Sequence, residues 1–250
     1  MQILLLGATG RTGLLVLKEA LARNHTVTAL ARSPQSLEEN IPVDHPNRSN
    51  RSNLTTVAGS PLNAADVAAA IAASPSPVDV VITTLNPRRA SDSPFAAVDP
   101  ADSPPRMMAD SMAGVLAALK GDGAKKENSH KTKIVALSAL GAGSSAAHTH
   151  CLLRLLFRQS NMRFTYEDHD AVEEELVRQQ QQQGEAGAVP YVLVRPTRLI
   201  DGEGGGAARV FGGNGTVGMM ETISRGAVAR FLVDAAERDE WDGKAPIIVG

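Results

Sequence analysis

What most constrains this chain is its first seventeen residues, where an apolar run passes straight into a glycine-rich turn. Gln2-Ile3-Leu4-Leu5-Leu6 is followed by Gly7-Ala8-Thr9-Gly10-Arg11-Thr12-Gly13 and then by the apolar-periodic Leu14-Leu15-Val16-Leu17. A strand, a tight turn and a helix start in that order make an anion site. Unpaired backbone N–H groups and the positive end of the helix dipole converge where a pyrophosphate can sit. Glycine is required because a side chain would block the turn or hold a phosphate away from the backbone. The spacing is G-x-x-G-x-x-G rather than the stricter G-x-G-x-x-G, and the strand-to-helix context makes it a dinucleotide motif. Gly7, Thr9, Gly10, Arg11, Thr12 and Gly13 are therefore the expected cofactor contacts, with Arg11 a candidate phosphate partner.

The next strand bears on which nucleotide is taken. Thr26-Val27-Thr28-Ala29-Leu30-Ala31 reads as β-structure and ends in Arg32-Ser33-Pro34. A site that selects NAD places Asp or Glu near this point, about 20 residues past the turn, to bind the ribose 2′-hydroxyl. Here the position offers Leu30, Ala31 and Arg32. A guanidinium can hold the 2′-phosphate of NADP through charge-assisted hydrogen bonds, and Ser33 adds a neutral donor. The expected cofactor is NADP.

Strand-like and helical runs alternate along the rest of the chain. Strands are expected at Leu54–Ala58, Val78–Thr84, Lys133–Leu137, Tyr191–Arg195 and Pro246–Val249. Helices are expected at about Leu14–Arg23, Asn63–Ala73, Pro105–Leu119, Glu167–Gln180 and Ser224–Glu237. Val78–Thr84 is almost continuously apolar, as a parallel strand buried on both faces should be. The pattern predicts an α/β fold, a doubly wound parallel sheet of the Rossmann type with a small C-terminal substrate-side elaboration. One domain spans 1–250, with substrate-side loops around 141–165 and 201–222. Asp44–Asn53, Ala90–Pro105 and the end of the Gln179–Gln183 run read as loops.

Composition narrows the classes of partner. The 250 residues carry a net charge of −2, which gives no basis for binding nucleic acid or a membrane surface. No apolar run approaches the roughly 18 residues of a membrane span. Met1 leads directly into a core strand, so no leader is expected. A single cysteine, Cys151, suits a reducing compartment. The expected setting is cytoplasmic and the expected partner a small molecule, with monomer and homodimer both open. His148-Thr149-His150-Cys151 has no second pair at ligand spacing, so no metal site is expected. No G-x-S-x-G elbow is present either, which removes the serine-hydrolase reading.

Taken together, several motifs resemble the atypical short-chain dehydrogenase/reductase superfamily, in its NmrA-like and biliverdin reductase B (flavin reductase)-like branch. They are the glycine turn, Leu137-Ser138-Ala139-Leu140-Gly141-Ala142-Gly143, Asp168-His169, Val194-Arg195-Pro196-Thr197-Arg198-Leu199 and Thr222–Ala229. The resemblance implies NADP at the carboxyl ends of the strands, with Thr84 and Leu85 beside the adenosine ribose or diphosphate and Pro196 and Thr197 beside the nicotinamide. Ser138 would lie at the same sheet edge, where its hydroxyl could bond a substrate carbonyl or merely satisfy local backbone. His169 would be a proton donor oriented by Asp168, or else Asp168 is a helix cap and His169 a surface residue. The superfamily's Tyr-x-x-x-Lys is missing: Tyr166 is followed four residues later by Asp170, an anion that raises a phenol's pKa. Tyr166 is thus no conventional base. The implied activity is hydride transfer between NADP(H) and a small conjugated carbonyl, quinone or flavin-like molecule. Alternatives are a redox-sensing regulator that binds nucleotide and a partner protein without turnover, and a tailoring isomerase or cyclase.

Overall fold

The computed structural model describes residues 1–40, 52–91, 93–123, 131–202 and 206–250. The expected loop at Asp44–Asn53 lies almost wholly outside these residues, as do residues 203–205 of the expected 201–222 loop.

The strands that read as most apolar form the centre of the sheet. In chain order they are β1 (Gln2–Leu6), β2 (Thr26–Ala31), β3 (Leu54–Ala58), β4 (Val80–Thr83), β5 (Lys133–Leu137) and β6 (Tyr191–Pro196). Four short strands follow: β7 (Arg198–Ile200), β8 (Arg209–Val210), β9 (Thr222–Ser224) and β10 (Ile247–Val249). The main sheet runs β3-β2-β1-β4-β5-β6-β10-β8. All neighbours in it are parallel except β10 and β8, and β7 pairs with β9 in a small parallel sheet apart. β1, buried throughout, pairs with β2 and β4, so Leu5 lies beside both Ala29 and Ile82.

Alternation along the strands sorts side chains into two cores. Ile3, Leu5, Val27, Ile82, Val135 and Val194 face α1 (Arg11–Ala22) and α7 (Arg225–Glu237). Leu4, Leu6, Val81, Ile134, Ala136 and Leu193 face α3 (Ala64–Ala72), α4 (Met107–Gly123) and α6 (Met162–Gly187). The methionines of α4 sit in this second core as filling, which suits their flexible side chains. Two helices start where a cap was readable: Asn63 accepts from the amide of Ala65 at 3.0 Å, and Ser224 from that of Ala227 at 3.2 Å.

The departures from the sequence reading lie outside the strongly periodic segments. Pro34–Asn40 is a short helix, α2, with proline in its first turn. The expected loop at 141–165 contains a 3-10 turn over Gly143–His148, α5 (Cys151–Gln159) and the first turn of α6. α6 also runs past its expected end, because the glutamines continue the helix to a kink at Gly184, where φ is 65°. Gln179 secures that end: its amide group donates to the Val189 carbonyl at 2.9 Å and accepts from the Val189 amide at 3.1 Å.

Candidate functional site

From β1 the chain works outward to β3, then returns across the sheet to β4. The direction reverses between β1 and β4, and this is where open α/β sheets hold their ligands. The glycine turn stands there and is packed to the limit. Gly7 has φ +84°, and a Cβ on it would lie 2.9 Å from Thr84 Oγ1 and 3.2 Å from the Leu85 amide. A Cβ on Gly13 would run into the Gly7 carbonyl oxygen and lie 2.7 Å from Thr84 Oγ1. Gly10 caps α1, donating to the Gly7 carbonyl at 2.9 Å and accepting from the Leu14 amide at 2.9 Å. Thr9, Gly10 and Arg11 are exposed on the rim, whereas Thr12 and Gly13 are buried beneath it. The turn is thus a cradle that admits backbone and ligand but no side chain.

Thr84 is committed to this cradle. Its buried hydroxyl donates to the Leu6 and Gly7 carbonyls at 3.2 and 3.3 Å, pinning the turn to the end of β4. Leu85, next in the chain, packs against the second core. Arg11 reaches towards the opposite side, with a guanidinium nitrogen 3.7 Å from Asp201, which also accepts from Arg225 at 2.6 Å. Arg32 stands exposed at the end of β2 and donates to Asp102 at 3.1 Å. Ser33 follows it, also exposed.

Across the crevice, Ser138 directly follows β5 and is buried, its amide donating to the Val194 carbonyl at 2.7 Å. Pro196 ends β6 in register with Ile248, and its carbonyl accepts from Leu140 at 3.0 Å. Thr197 is 4 % exposed, and its hydroxyl has no hydrogen-bond partner in the protein. A buried hydroxyl left unsatisfied is costly, so it has a bond to give to a group bound here. That orphaned hydroxyl, with the glycine cradle, fits the polar ends of a dinucleotide lying across the switch point.

The structure corrects the Asp168–His169 pairing. Asp168 does not orient the imidazole: its oxygens accept from the amides of Met108 and Ala109 at 2.9 and 3.0 Å, capping α4 from across the helix pair. Burial pushes its carboxyl pKa up, and the two amide bonds oppose that shift. His169 is buried mid-helix in α6. Its pKa falls to about 4, first through burial and then through the positive charge of Arg195. At neutral pH it is an uncharged core imidazole, without the readily lost proton that made it a candidate donor. Arg195 itself is buried, donating to Glu173 at 2.6 Å and to Ser144 at 2.8 Å.

Tyr166 is tied off in a similar way. Its hydroxyl donates to the Leu140 carbonyl at 3.2 Å, and its ring stacks on Phe157 at 4.5 Å. Burial drives its pKa up, Asp170 adds to the shift and Arg89 opposes it, so it is no base. Tyr166, Phe157 and Gly141 line a cavity of about 230 Å³ together with Arg154, Arg158 and Arg163. Phe211 packs on Leu140, Val217, Ile247 and Val249, while Met219 and Met220 are exposed. His150 caps α5 by accepting from the Leu152 amide at 3.3 Å. Among the described residues, no group of three or more His, Cys, Asp or Glu could hold a metal. Nor is any described helix long and apolar enough to cross a membrane.

Sequence reasoning missed Arg88 and Arg89, which precede the Ala90–Pro105 stretch read as a loop, and Asp102 within that stretch. It also missed the arginines of α5, because a Gly- and Ser-rich lead-in hid that helix. The amphipathic run Leu152-Leu153-Arg154-Leu155-Leu156-Phe157-Arg158 was the signal that could have found it.

Comparison with solved structures places this arrangement among Rossmann proteins. ChuY, an anaerobillin reductase from Escherichia coli O157:H7, is 18 % identical with a TM-score of 0.68, covering 100 % of this chain and 97 % of its own. The oxidoreductase ylbE from Lactococcus lactis is 15 % identical with a TM-score of 0.65, covering 99 % and 90 %. A Rossmann-fold NAD(P)-binding family protein from Shigella flexneri is 19 % identical with a TM-score of 0.58, covering 99 % and 92 %. At these identities the likeness speaks for the fold. No curated protein matched the sequence. A family profile described as NAD(P)H-binding matches residues 7–239, from the first glycine of the cradle to the loop after α7. With the cradle, the switch point and that match in agreement, the chain belongs to the NAD(P)H-binding family of Rossmann-type proteins.

Proposed function

We propose that the protein is an NADP(H)-dependent oxidoreductase acting on a small conjugated carbonyl, quinone or flavin-like molecule in the cytoplasm. Arg32 is the observation that carries the choice of NADP: it stands at the end of β2, where a site for NAD would present a carboxylate to the ribose. The glycine cradle and the α1 N-terminus would hold the pyrophosphate, and Ser138, Pro196 and Thr197 would surround the nicotinamide end. When bound, the nicotinamide supplies or accepts the hydride. The chain's own part is to orient the ring, exclude water and position the acceptor, with the Ser138 hydroxyl as the group that bonds a substrate carbonyl. His169 is uncharged and Tyr166 is bonded to backbone, so the compensating proton comes through Ser138 or from solvent. Stacked Phe157 and Tyr166 at a cavity whose three arginines are offset in part by Glu167 and Asp170 favour a flat, polar substrate.

Calorimetric titration with NADP⁺, NADPH, NAD⁺ and NADH tests the cofactor, and a screen of quinones, flavins and conjugated carbonyls tests turnover. NADPH binding at least as tight as NADP⁺, with consumption by an acceptor, is expected. Preference for oxidised nucleotides with no turnover of any acceptor would instead identify a nucleotide-sensing regulator, the role that a tied-off Tyr166 also suits. Binding of none of the four would overturn the proposal.

A further inference from the structure

Beside the adenosine end of the crevice, two arginines from different parts of the chain close on one carboxylate. Arg32, at the end of β2, places Nη1 3.1 Å from Asp102 Oδ1 and 3.4 Å from the Asp102 carbonyl oxygen. Arg88, just beyond β4, places Nη1 3.3 Å from the other carboxylate oxygen, Oδ2. Asp102 does not swing on a loose tether. The Arg88 amide donates to Ser103 Oγ at 2.8 Å, the Ser103 amide to the Asp99 carbonyl at 2.8 Å, and the Ala101 amide to Asp99 Oδ1 at 2.9 Å. Asp99, Ala101 and Ser103 are thereby tied to one another and to Arg88 in a way that presents this one anion to both guanidiniums.

Each guanidinium binds its own oxygen of the central group, an arrangement that a phosphate monoester can also accept, with one oxygen more and a larger charge. The local sum is two positive charges and one negative, leaving the pair under-neutralised for a divalent anion. We propose that Arg88 is a second ligand of the NADP 2′-phosphate, and that Asp102 is an internal counter-ion which the phosphate must displace. The inference rests on the NADP reading of Arg32 and extends it. Selectivity for the phosphorylated nucleotide is then set by a competition between two anions for one arginine pair. The carboxylate keeps the guanidiniums gathered at the crevice in the free protein, and it weakens every ligand bearing a 2′-phosphate while leaving ligands without one untouched. Because the side chains are 57 %, 76 % and 37 % exposed for Arg32, Arg88 and Asp102, the competition is screened by salt.

Calorimetric titration of the full chain and its Arg88→Gln and Asp102→Asn variants decides it, with 2′,5′-ADP, 5′-AMP, NADPH and NADH as ligands. Arg88→Gln should weaken 2′,5′-ADP and NADPH about tenfold, the loss expected for one charge-assisted hydrogen bond, and leave 5′-AMP and NADH unchanged. Asp102→Asn should act in the opposite direction, tightening the two phosphorylated ligands about two- to fivefold, the scale of an exposed ion pair. That gain should shrink as salt is raised. If either variant shifts phosphorylated and unphosphorylated ligands equally, or shifts neither, the proposal is overturned. Wild-type protein that prefers NADPH while both variants are silent would sink this inference and leave the NADP reading standing. Wild-type protein with no preference for a 2′-phosphate would sink both.

Discussion

Two residues show how far the site is written in side-chain chemistry, and each yields a test. Gly13 is demanded by contact rather than by its backbone angle. A methyl there would meet the Gly7 carbonyl and Thr84 Oγ1, neither of which can retreat without opening the turn. Gly13→Ala is expected to cost about 3 kcal/mol, the upper range for overpacking, and to abolish nucleotide binding. Urea denaturation and NADPH titration measure the two losses. His169 makes a prediction in pH. Its folded pKa of about 4 lies below the ordinary value of 6.5, so the unfolded chain takes up the proton first. The stability from burying the neutral ring is present above pH 6.5, declines as pH falls between 6.5 and about 4, and levels off below that. A depression of this size corresponds to about 3 kcal/mol. Denaturation midpoints measured across that window should fall more steeply for wild type than for His169→Gln. Parallel curves would show that His169 is not buried as described. Turnover near neutral pH should survive in this variant, because an imidazole uncharged on both sides of the reaction has no proton to supply.

At the scale of elements, Asp168 joins two helices that the sequence presents as unrelated. Its carboxylate, on α6, caps the first amides of α4 sixty residues back, at 2.9 and 3.0 Å. Asp168→Ala should cost about 1–2 kcal/mol, as for loss of an N-cap, and speed hydrogen exchange at the Met108 and Ala109 amides, while NADPH affinity stays within about twofold. A loss of turnover at unchanged stability would return Asp168 to the chemistry. The same pair explains what could and could not be read from sequence. The glycine turn and the strand ends at which Arg32, Ser138 and Thr197 stand were legible in position, because such ends and turns are local patterns with fixed consequences. Asp168 and His169 were legible as a pair but not in role, since a carboxylate beside an imidazole looks alike whether it faces that ring or a helix sixty residues away. α5 escaped because its Gly- and Ser-rich lead-in reads as loop, although its amphipathic pattern stood in the sequence. Arg88 and Asp102 escaped because Asp102 meets Arg32 from seventy residues away and Arg88 from fourteen across irregular backbone, contacts that leave no periodic trace.

On the scale of the whole molecule, the site does not exist in any one segment. The cradle hangs from β1, Thr84 from β4, Ser138 from β5 and Thr197 from β6, and only the completed sheet sets them around one crevice. Both cores must form for that to happen, because Leu4 and Leu6 anchor β1 in one while Ile3 and Leu5 anchor it in the other. A dinucleotide spanning the crevice therefore binds the folded chain alone and stabilises it by mass action. At a free concentration one hundred times Kd the gain is about 2.7 kcal/mol. For a domain of this size that raises Tm by about 5–10 °C. NADPH should deliver such a shift at concentrations where NADH delivers little, and the difference should narrow with rising salt if the arginine pair is what separates them. Thermal melts recorded with each nucleotide over a salt series measure this without need of a substrate. Equal shifts from NADPH and NADH would place the arginines outside the nucleotide's reach, and no shift from either would mean that the crevice joins its parts for some other ligand.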